Sequence, residues 1–340
     1  QKGEYLEGLF DTMVEEMKKA KECGSFNKPI LIGSRTQASG AYDHNGDRTY
    51  TFKQKTRLVS MIDIILVMAE TIFAKPVQGY LSKVDWYAGG KNDSEINSII
   101  RKYSNRKYHM FTIDYSSFDQ TIPNWIIKDA FEVVRSMFRD NSFDNELFDV
   151  IVNDFIHKVF INGEGDLIVA NKGVPSGSMF TQIIDSIVNR IMVLTYSYSK
   201  DVKIEHMIIM GDDNLLITPC KLDEEDLCSY LSYMFGVTAN AAKCIYTPPG
   251  GDPEFLSRYW RADGVFRHPG VLIAKILYPE RFRDYKSNLD MTPELIVYSY
   301  YLSFPRGVEL FVCRETLASM RYDKQLNRDA KARHKWMSGP

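Results

Sequence analysis

The sequence predicts a mixed α/β (α+β) fold. Several charged segments carry apolar residues at helical spacing, and residues 4–22 are the first of them. Short apolar runs with strand character lie between these segments, and a Gly-Asp turn joins two such runs within residues 207–217. The 340-residue chain has 44% hydrophobic and 25% charged residues, which is typical of a globular protein and excludes wholesale disorder.

The charge of the chain is almost balanced, with a formal net charge of −2. Such a balance gives no overall attraction to nucleic acid, so any such signal must come from local basic clusters. These clusters are Lys53, Lys55 and Arg57; Arg101, Lys102, Arg106 and Lys107; and a basic tail from Arg321 to Lys335. Each cluster alone is more typical of a solvated face than of a binding site.

The cysteines and the apolar runs give predictions about the redox compartment and about membrane segments. The five cysteines are odd in number and show no metal-ligand spacing, which predicts free thiols in a reducing compartment. No signal peptide is visible, and the most apolar run, residues 61–69, is short and contains Asp63, so no membrane segment is expected. The chain begins at Gln1 without a Met, which indicates a fragment or a processed product.

The first third of the chain is predicted to contain two helices and an extended arm. A helix over residues 4–22 is followed by a loop over 25–45, because Gly40 and an Asn45-Gly46 turn signal interrupt that segment. Residues 50–60 then read as an extended arm. A buried helix over 61–74 is expected to stop before Pro76, since proline disfavours a helical residue in front of it.

The middle of the chain alternates strands and helices. A short strand over 110–113 ends in Asp114, and helices are predicted over 124–138 and 144–160. The next predicted elements are a turn at Gly163 and Gly165, a strand over 167–170, a loop from Gly173 to Ser178, and an apolar helix over 180–196.

The C-terminal part is predicted to contain two hairpins and two helices. They are a hairpin with the turn Gly211-Asp212-Asp213-Asn214, a helix over 223–235 that Gly236 ends, a hairpin of residues 255–260 and 265–266 around Asp263-Gly264, and a long helical region from Thr292-Pro293.

Three carboxylates suggest a metal site. Asp212 and Asp213 are adjacent at a turn with no basic residue beside them, and a divalent cation relieves the repulsion between such charges. If the strand that ends in Asp114 is a neighbour in the same sheet, all three carboxylates converge and can hold two metal ions. A plain polar hairpin tip is the alternative, because Gly, Asp and Asn are ordinary turn residues.

A polar stripe follows the Gly173–Ser178 loop. Thr181, Asp185 and Asn189 are spaced by four, so they project from one face of an otherwise apolar helix. The glycines of the loop allow its backbone to approach a phosphate or a sugar. The stripe therefore indicates ribose recognition, while internal hydrogen bonding or solvent exposure remains the alternative.

These parts, in this order, resemble a viral RNA-dependent RNA polymerase, most closely those of partitivirus-like and picobirnavirus-like double-stranded RNA viruses. The matching residues are Asp114-Tyr115-Ser116-Ser117-Phe118-Asp119 as motif A, Gly173 to Gly177 through Thr181, Asp185 and Asn189 as motif B, and Gly211-Asp212-Asp213-Asn214 as motif C. The resemblance implies a right-hand fold with fingers (1–108, including a motif F arm, 35–60), palm (109–123, motif A), a fingers insertion (124–170), palm (171–266, motifs B to E) and a small helical thumb (267–340).

The resemblance also implies residue roles. Asp114 and Asp212 would be the main metal ligands, with Asp213 as an auxiliary one, and Lys243 would be the motif D general acid. Arg35, Lys53, Lys55 and Arg57 resemble the motif F cations that neutralise the triphosphate. Asp119 would select the ribose, and Ser176 and Gly177 would lie in the loop around the nascent pair. Many relatives carry Asn at the position of Asp185, which leaves open whether Asp185 or Asn189 contacts the sugar.

The implied activity is template-directed RNA synthesis for viral replication and transcription, with two Mg²⁺ ions that Mn²⁺ can replace. The implied partners are RNA template and product, ribonucleoside triphosphates and a viral capsid protein, and the implied location is the host cytoplasm, inside the virion. Two alternatives remain open from the sequence: a reverse transcriptase, and a non-catalytic RNA-binding or capsid-associated protein with a polymerase-like fold.

Overall fold

The computed structural model describes residues 2–42, 50–104, 107–138, 143–262 and 264–266. The helices are α1 (Lys2–Cys23), α2 (Ile64–Leu81), α3 (Asp93–Tyr103), α4 (Phe118–Thr121), α5 (Asn124–Ser136), α6 (Asn145–Ile156), α7 (Thr181–Ser199), α8 (Glu224–Phe235) and a 3₁₀-helix (Ala241–Lys243). The strands are β1 (Ile30–Tyr42), β2 (Tyr50–Met61), β3 (His109–Thr112), β4 (Val159–Ile161), β5 (Leu167–Val169), β6 (His206–Met210), β7 (Asp213–Thr218), β8 (Ile245–Thr247), β9 (Glu254–Phe255), β10 (Arg258–Arg261) and β11 (Gly264–Phe266). The predicted turn at Asn45-Gly46, Asp263 and the helical region from Thr292 lie outside the described residues.

The central sheet has the strand order β6-β7-β3-β8. β6 and β7 form the predicted hairpin, with Met210 paired to Asp213 next to the turn. β3 runs antiparallel to both of its neighbours, with Phe111 opposite Leu216 of β7 on one side. Helix α7 packs against α5, α8 and β6, and its apolar residues Ile184, Val188 and Met192 are completely buried.

Two further sheets lie elsewhere in the chain. One has the order β2-β1-β4-β5, and the other is the three-stranded antiparallel sheet β11-β10-β9. Within the second of these, the buried Trp260 donates its indole N–H to the carbonyl of Phe255 at 2.9 Å.

Two predicted elements need correction because parts of them form paired strands. Residues 25–45 are not a loop throughout, because β1 pairs in parallel with β4, with Ile30 opposite Phe160. The helix predicted over 144–160 ends at Ile156, since its last residues belong to β4 instead. Both errors arise because pairing between distant segments overrides the local preference of the sequence.

Helix α2 is also longer than predicted, because Pro76 lies inside it and does not end it. A proline in a helix costs about 3 kcal/mol. Beyond it, Val77 and Leu81 are 2% and 1% exposed, and burying each side chain contributes about 1.5–3 kcal/mol. By length and composition α2 could cross a membrane, yet eight of its residues, including the charged Glu70, are buried within the fold.

The chain divides into two compact units. The first consists of Gln1–Gly33, Leu58–Lys91 and Lys102–Gly251, and it contains the central sheet. The second consists of Ser34–Arg57, Asn92–Arg101 and Asp252–Pro340. The boundaries predicted for fingers, palm and thumb stay a prediction, and residues 267–340 lie outside the described part of the chain.

Candidate active site

The predicted carboxylates lie at one end of the central sheet, where β3 ends and β7 begins. The backbone N–H of Ile113 donates to Asn214 Oδ1 at 3.0 Å, so the next residue, Asp114, lies at the end of the sheet where β7 begins with Asp213. β3 and β7 are thus neighbours, as the predicted convergence of carboxylates requires. Asp212 and Asp213 are exposed, and Asp114 is partly exposed.

Asn214 has a role that sequence reasoning missed. Its side chain is 1% exposed, and it both accepts a hydrogen bond from and donates one to the backbone of Ile113, because Nδ2 also lies 3.4 Å from the Ile113 carbonyl. Nδ2 lies 3.3 Å from the carbonyl of Asp212 as well. The last residue of the Gly-Asp-Asp-Asn turn therefore ties the hairpin to the strand that carries Asp114.

Lys243 lies beside the first of the carboxylates. Its Nζ is 3.7 Å from Asp114 Oδ2, and the two side chains are 60% and 46% exposed. The segment that carries Lys243 is bonded to the same strand end, since the N–H of Asn240 donates to the Asp114 carbonyl and that of Ser116 donates to the Thr238 carbonyl. The structure therefore places the predicted general acid next to Asp114.

Asp185 is a buried carboxyl with an unpartnered oxygen. It is 3% exposed, and Oδ1 has no hydrogen-bond partner. Burial raises the pKa of Asp185 well above its usual value, and the nearby charges of Asp119 and Asp212 raise it further. This polar member of the predicted stripe therefore lies close to both motif A and the turn.

The other two members of the stripe are bonded within the protein. Thr181 Oγ1 lies 2.7 Å from the Pro175 carbonyl and 2.9 Å from the Ser178 carbonyl. Asn189 is completely buried, and its Nδ2 donates to the Gly211 carbonyl at 3.0 Å. Contacts of these residues with a ribose stay predictions, and the structure gives both side chains internal partners.

The loop before α7 is held by the end of β2. Ser176 Oγ accepts a hydrogen bond from the Ser60 N–H at 3.0 Å. A Cβ on Gly177 would lie 2.2 Å from the Ser60 carbonyl oxygen, so only glycine fits there without displacing backbone. The motif A helix α4 touches the start of the same loop, because the N–H of Val174 donates to the Asp119 carbonyl.

A second anchor of this loop is Glu70 of α2, which sequence reasoning did not identify. Its carboxylate accepts hydrogen bonds from Ser178 Oγ and from the Met179 N–H, both at 2.8 Å. Glu70 is 2% exposed, and burial raises its pKa from 4.5 to about 7. A Glu within an apolar helix gives no sequence signal for this contact, because its partners are more than 100 residues away.

A cavity of about 390 Å³ opens beside this loop. Asp119, Gly173 and Ser176 line it together with Lys158, which the sequence did not single out. Lys158 is 3% exposed, its Nζ donates to the Phe155 carbonyl at 3.3 Å, and burial lowers its pKa from 10.5 to about 8. Two residues predicted to contact the nucleotide thus share a concave surface with a buried amine.

The predicted motif F cations lie in the second compact unit. Arg35 belongs to β1 and Arg57 to β2, and both side chains are exposed. Lys53 and Lys55 also belong to β2, but their side chains lie outside the described part of the chain.

The donor set at the sheet edge fits a hard divalent cation. Among the described residues no three Asp, Glu, His or Cys side chains already enclose a metal-sized site. The exposed side chains of Asp212 and Asp213 nevertheless offer carboxylate oxygens, which are ligands that Mg²⁺ prefers.

The end of the central sheet thus carries carboxylates and a lysine beside the loop that precedes α7, which are the groups expected of a nucleotidyl-transfer site on a mixed α/β fold. The model of the viral RNA-dependent RNA polymerase family matches residues 52–272, which is more than half of the chain. The chain therefore belongs to the viral RNA-dependent RNA polymerase family, and the resemblance inferred from the motifs is confirmed.

Two curated relatives are RNA-directed RNA polymerases. That of Cryptosporidium parvum virus 1 (strain KSU-1) is 35% identical over 135 residues, which cover 39% of this chain and 25% of that protein. That of Atkinsonella hypoxylon virus (isolate 2H) is 31% identical over 138 residues, which cover 38% of this chain and 20% of that protein. The match thus spans a quarter or less of these relatives' length.

Solved structures show the same fold at low sequence identity. The insertion-loop deletion mutant of a human picobirnavirus RNA-dependent RNA polymerase has a TM-score of 0.67 and 17% identity, over 81% of this chain and 54% of that chain. The Sicinivirus 3Dpol RNA-dependent RNA polymerase has a TM-score of 0.68 and 15% identity, over 93% of this chain and 66% of that chain. The predicted α/β fold of the right-hand polymerase class is therefore confirmed.

Proposed function

We propose that this chain is the catalytic part of an RNA-dependent RNA polymerase that replicates and transcribes a viral genome. The observation that carries the proposal is the position of Asp114 at the same sheet edge as Asp212 and Asp213. Membership of the family supports the class of reaction, and the carboxylate edge supplies the chemical groups that this reaction needs.

The proposed reaction is nucleotidyl transfer. The 3′-hydroxyl of the growing RNA attacks the α-phosphate of a ribonucleoside triphosphate, a new P–O bond forms, and the bond to pyrophosphate breaks. Divalent metal ions, here two Mg²⁺ that Mn²⁺ can replace, would supply Lewis-acid stabilisation of the attacking and leaving oxygens. Asp114 and Asp212 would hold these ions, with a smaller contribution from Asp213.

Lys243 would donate a proton to the leaving pyrophosphate. Its ammonium is 3.7 Å from Asp114 Oδ2 and largely exposed, so it can reach a group bound beside that carboxylate. Arg35, Lys53, Lys55 and Arg57 would neutralise the charge of the triphosphate.

Sugar selection would depend on Asp119 and Asp185. The buried, unpartnered oxygen of Asp185 supports it over Asn189 as the motif B contact, because the amide of Asn189 is already bonded to the turn. Ser176, Gly177 and Thr181 would shape the loop around the nascent base pair, and the 2′-hydroxyl would distinguish ribonucleotides from deoxynucleotides.

The proposed partners are an RNA template with its product, ribonucleoside triphosphates and a viral capsid protein. We also propose that the enzyme acts in the host cytoplasm, inside the virion. Recovery of the chain with RNA-containing particles from infected cells is the expected result, and its absence from purified particles would contradict this location.

A primer-extension assay tests the proposed activity. The wild-type chain is compared with Asp114→Asn, Asp212→Asn and Asp213→Asn on an RNA template, with Mg²⁺ or Mn²⁺. We expect losses of at least about 100-fold for Asp114→Asn and Asp212→Asn and a smaller loss for Asp213→Asn. The matched control is Asp129→Asn, which changes an exposed carboxylate on α5 and is expected to retain full activity.

Two outcomes would contradict the proposal. Near-normal extension by Asp114→Asn or Asp212→Asn would exclude the proposed mechanism. Preferential incorporation of deoxynucleotides would identify a reverse transcriptase, and RNA binding without incorporation of any nucleotide would identify a non-catalytic protein.

A further inference from the structure

Two polar side chains of α7 hold the backbone of the turn that carries Asp212. The N–H of Gly211 donates to Ser186 Oγ at 2.8 Å. Asn189 Nδ2 donates to the Gly211 carbonyl at 3.0 Å and to the Asp212 carbonyl at 3.1 Å. Both side chains are 0% exposed, so water does not compete for these bonds.

Both side chains also make hydrogen bonds to groups outside the turn. Ser186 Oγ donates to the Gln182 carbonyl at 2.6 Å, one turn earlier in the helix. Asn189 Oδ1 accepts a hydrogen bond from the Tyr115 hydroxyl at 3.2 Å, and Tyr115 is 7% exposed. These partners fix the orientation of the two side chains, and the bonds to the turn are therefore directional.

The turn itself has little packing to fix it. Gly211 has a φ of +66°, and a Cβ at this position would meet no atom within 4 Å. Asp212, the next residue, is exposed. Hydrogen bonds to its backbone therefore contribute to fixing the position of the turn that carries the Asp212 side chain.

The same network reaches the other carboxylate strand. Tyr115 directly follows Asp114, so the path from Tyr115 through Asn189 to the Asp212 carbonyl joins the two carboxylate-bearing segments. Asn214 joins β3 to the turn separately, from the sheet side. The turn is thus bonded both from the helix and from the sheet.

We propose that Ser186 and Asn189 are positioning residues that hold the Asp212 carboxylate in register with Asp114. The proposal rests on the proposed function, because it assigns these residues to the polymerase reaction. Neither side chain reaches substrate, since both are buried and bonded within the protein. A small displacement of a catalytic carboxylate lowers the rate of the chemical step and leaves substrate binding largely unchanged.

The test uses Ser186→Ala in the full chain, with Ser197→Ala as the matched control. Ser197 lies on the same helix, and its hydroxyl donates to the Val202 carbonyl instead of to the turn. For Ser186→Ala we expect kcat for nucleotide incorporation to fall about tenfold or more with KM for the triphosphate within about twofold, and the half-saturating Mg²⁺ concentration to rise. Ser197→Ala is expected to match the wild type in all three.

Hydrogen–deuterium exchange gives a readout that does not depend on activity. Removal of the Ser186 hydroxyl takes the acceptor from the Gly211 N–H, so the peptide covering residues 207–214 should exchange about tenfold faster or more, while a β3 peptide stays unchanged. Tyr115→Phe, which removes only the bond to Asn189, is expected to give a smaller effect in the same direction. This milder variant keeps the test decisive if Ser186→Ala fails to fold.

The outcomes separate the two proposals. Unchanged exchange and unchanged kcat in a folded Ser186→Ala chain would overturn the positioning role, as would a rise in KM with kcat preserved. A different result is that Ser186→Ala exchanges faster around Gly211 while the wild-type chain itself incorporates no nucleotide. This result would overturn the proposed function and confirm only the hydrogen bond.

Discussion

The buried Glu70 predicts an unusual pH dependence of stability. Its pKa is raised from 4.5 to about 7 by burial, so the folded protein keeps the proton over a range in which the unfolded chain releases it. The free energy of unfolding therefore falls as pH rises from about 4.5 to about 7, and it stays lower at higher pH. A difference of 2.5 pKa units corresponds to a cost of about 3 kcal/mol for the ionised form.

Glu70→Gln isolates this effect. The amide is neutral at every pH, and it can accept from the Met179 N–H and donate to Ser178 Oγ, the pattern open to a protonated Glu70. We expect the variant to be more stable than the wild type by less than about 1 kcal/mol at pH 5 and by about 3 kcal/mol at pH 8. Urea unfolding of both proteins at pH 5, 6, 7 and 8 measures this difference.

A control and a functional readout sharpen this test. Glu15→Gln changes an exposed carboxylate on α1 and should give a difference in unfolding free energy that does not vary over this pH range. A constant difference for Glu70→Gln would refute the reasoning. At pH 8 we expect the more stable variant to have lower incorporation activity, because the charged anchor of the motif B loop is lost.

Two further predictions concern the same loop and cavity. Gly177→Ala places a Cβ 2.2 Å from the Ser60 carbonyl oxygen, so the loop must shift, and we expect primer extension to fall about tenfold and stability to fall by about 1–3 kcal/mol. Burial lowers the pKa of Lys158 from 10.5 to about 8, so keeping this amine charged in the folded protein at pH 7 costs about 3 kcal/mol. Lys158→Met removes this cost, and urea unfolding at pH 7 should therefore give a free energy of unfolding about 3 kcal/mol higher.

Both predictions have a direct check. Gly163 has no atom within 4 Å of an added Cβ, so Gly163→Ala should leave activity and stability unchanged, and equal losses in the two variants would refute the steric argument. For Lys158→Met, the wild type gains stability as pH rises from about 8 to about 10.5, and the advantage of the variant should shrink over that range. An advantage that is independent of pH would contradict burial as the cause.

Elements with strong local signals were predictable from the sequence. The Asp223 side chain caps α8 by accepting from two N–H groups, and Gly236 ends the helix in a left-handed conformation, as their residue types predict. The Gly211-Asp212 turn likewise follows from two apolar runs around a Gly-Asp pair. In each case the deciding interactions lie within a few residues of one another.

Features that depend on distant partners were not predictable. The sequence predicts a loop where β1 forms, because its pairing partner β4 follows more than 100 residues later. Helical spacing placed Thr181, Asp185 and Asn189 on one face of α7, but it did not distinguish the oxygen left unpartnered on Asp185 from the amide bonded on Asn189. Ser186, which lies off that stripe, has no signal in its own segment, because its partner is the Gly211 N–H.

The position of β3 in the central sheet has a consequence for synthesis on the ribosome. β3 is paired on both sides, and its partners β7 and β8 begin roughly 100 and 130 residues later in the chain. At a translation rate of about 5–20 residues per second, the backbone N–H and C=O groups on both sides of β3 stay unpaired for roughly 5–20 seconds or longer. Helices α5 and α6 are translated within that interval and can fold early, whereas the unpaired backbone groups of β3 stay available to other chains. Translation pauses between residues 112 and 245 would therefore favour aggregation of nascent chains.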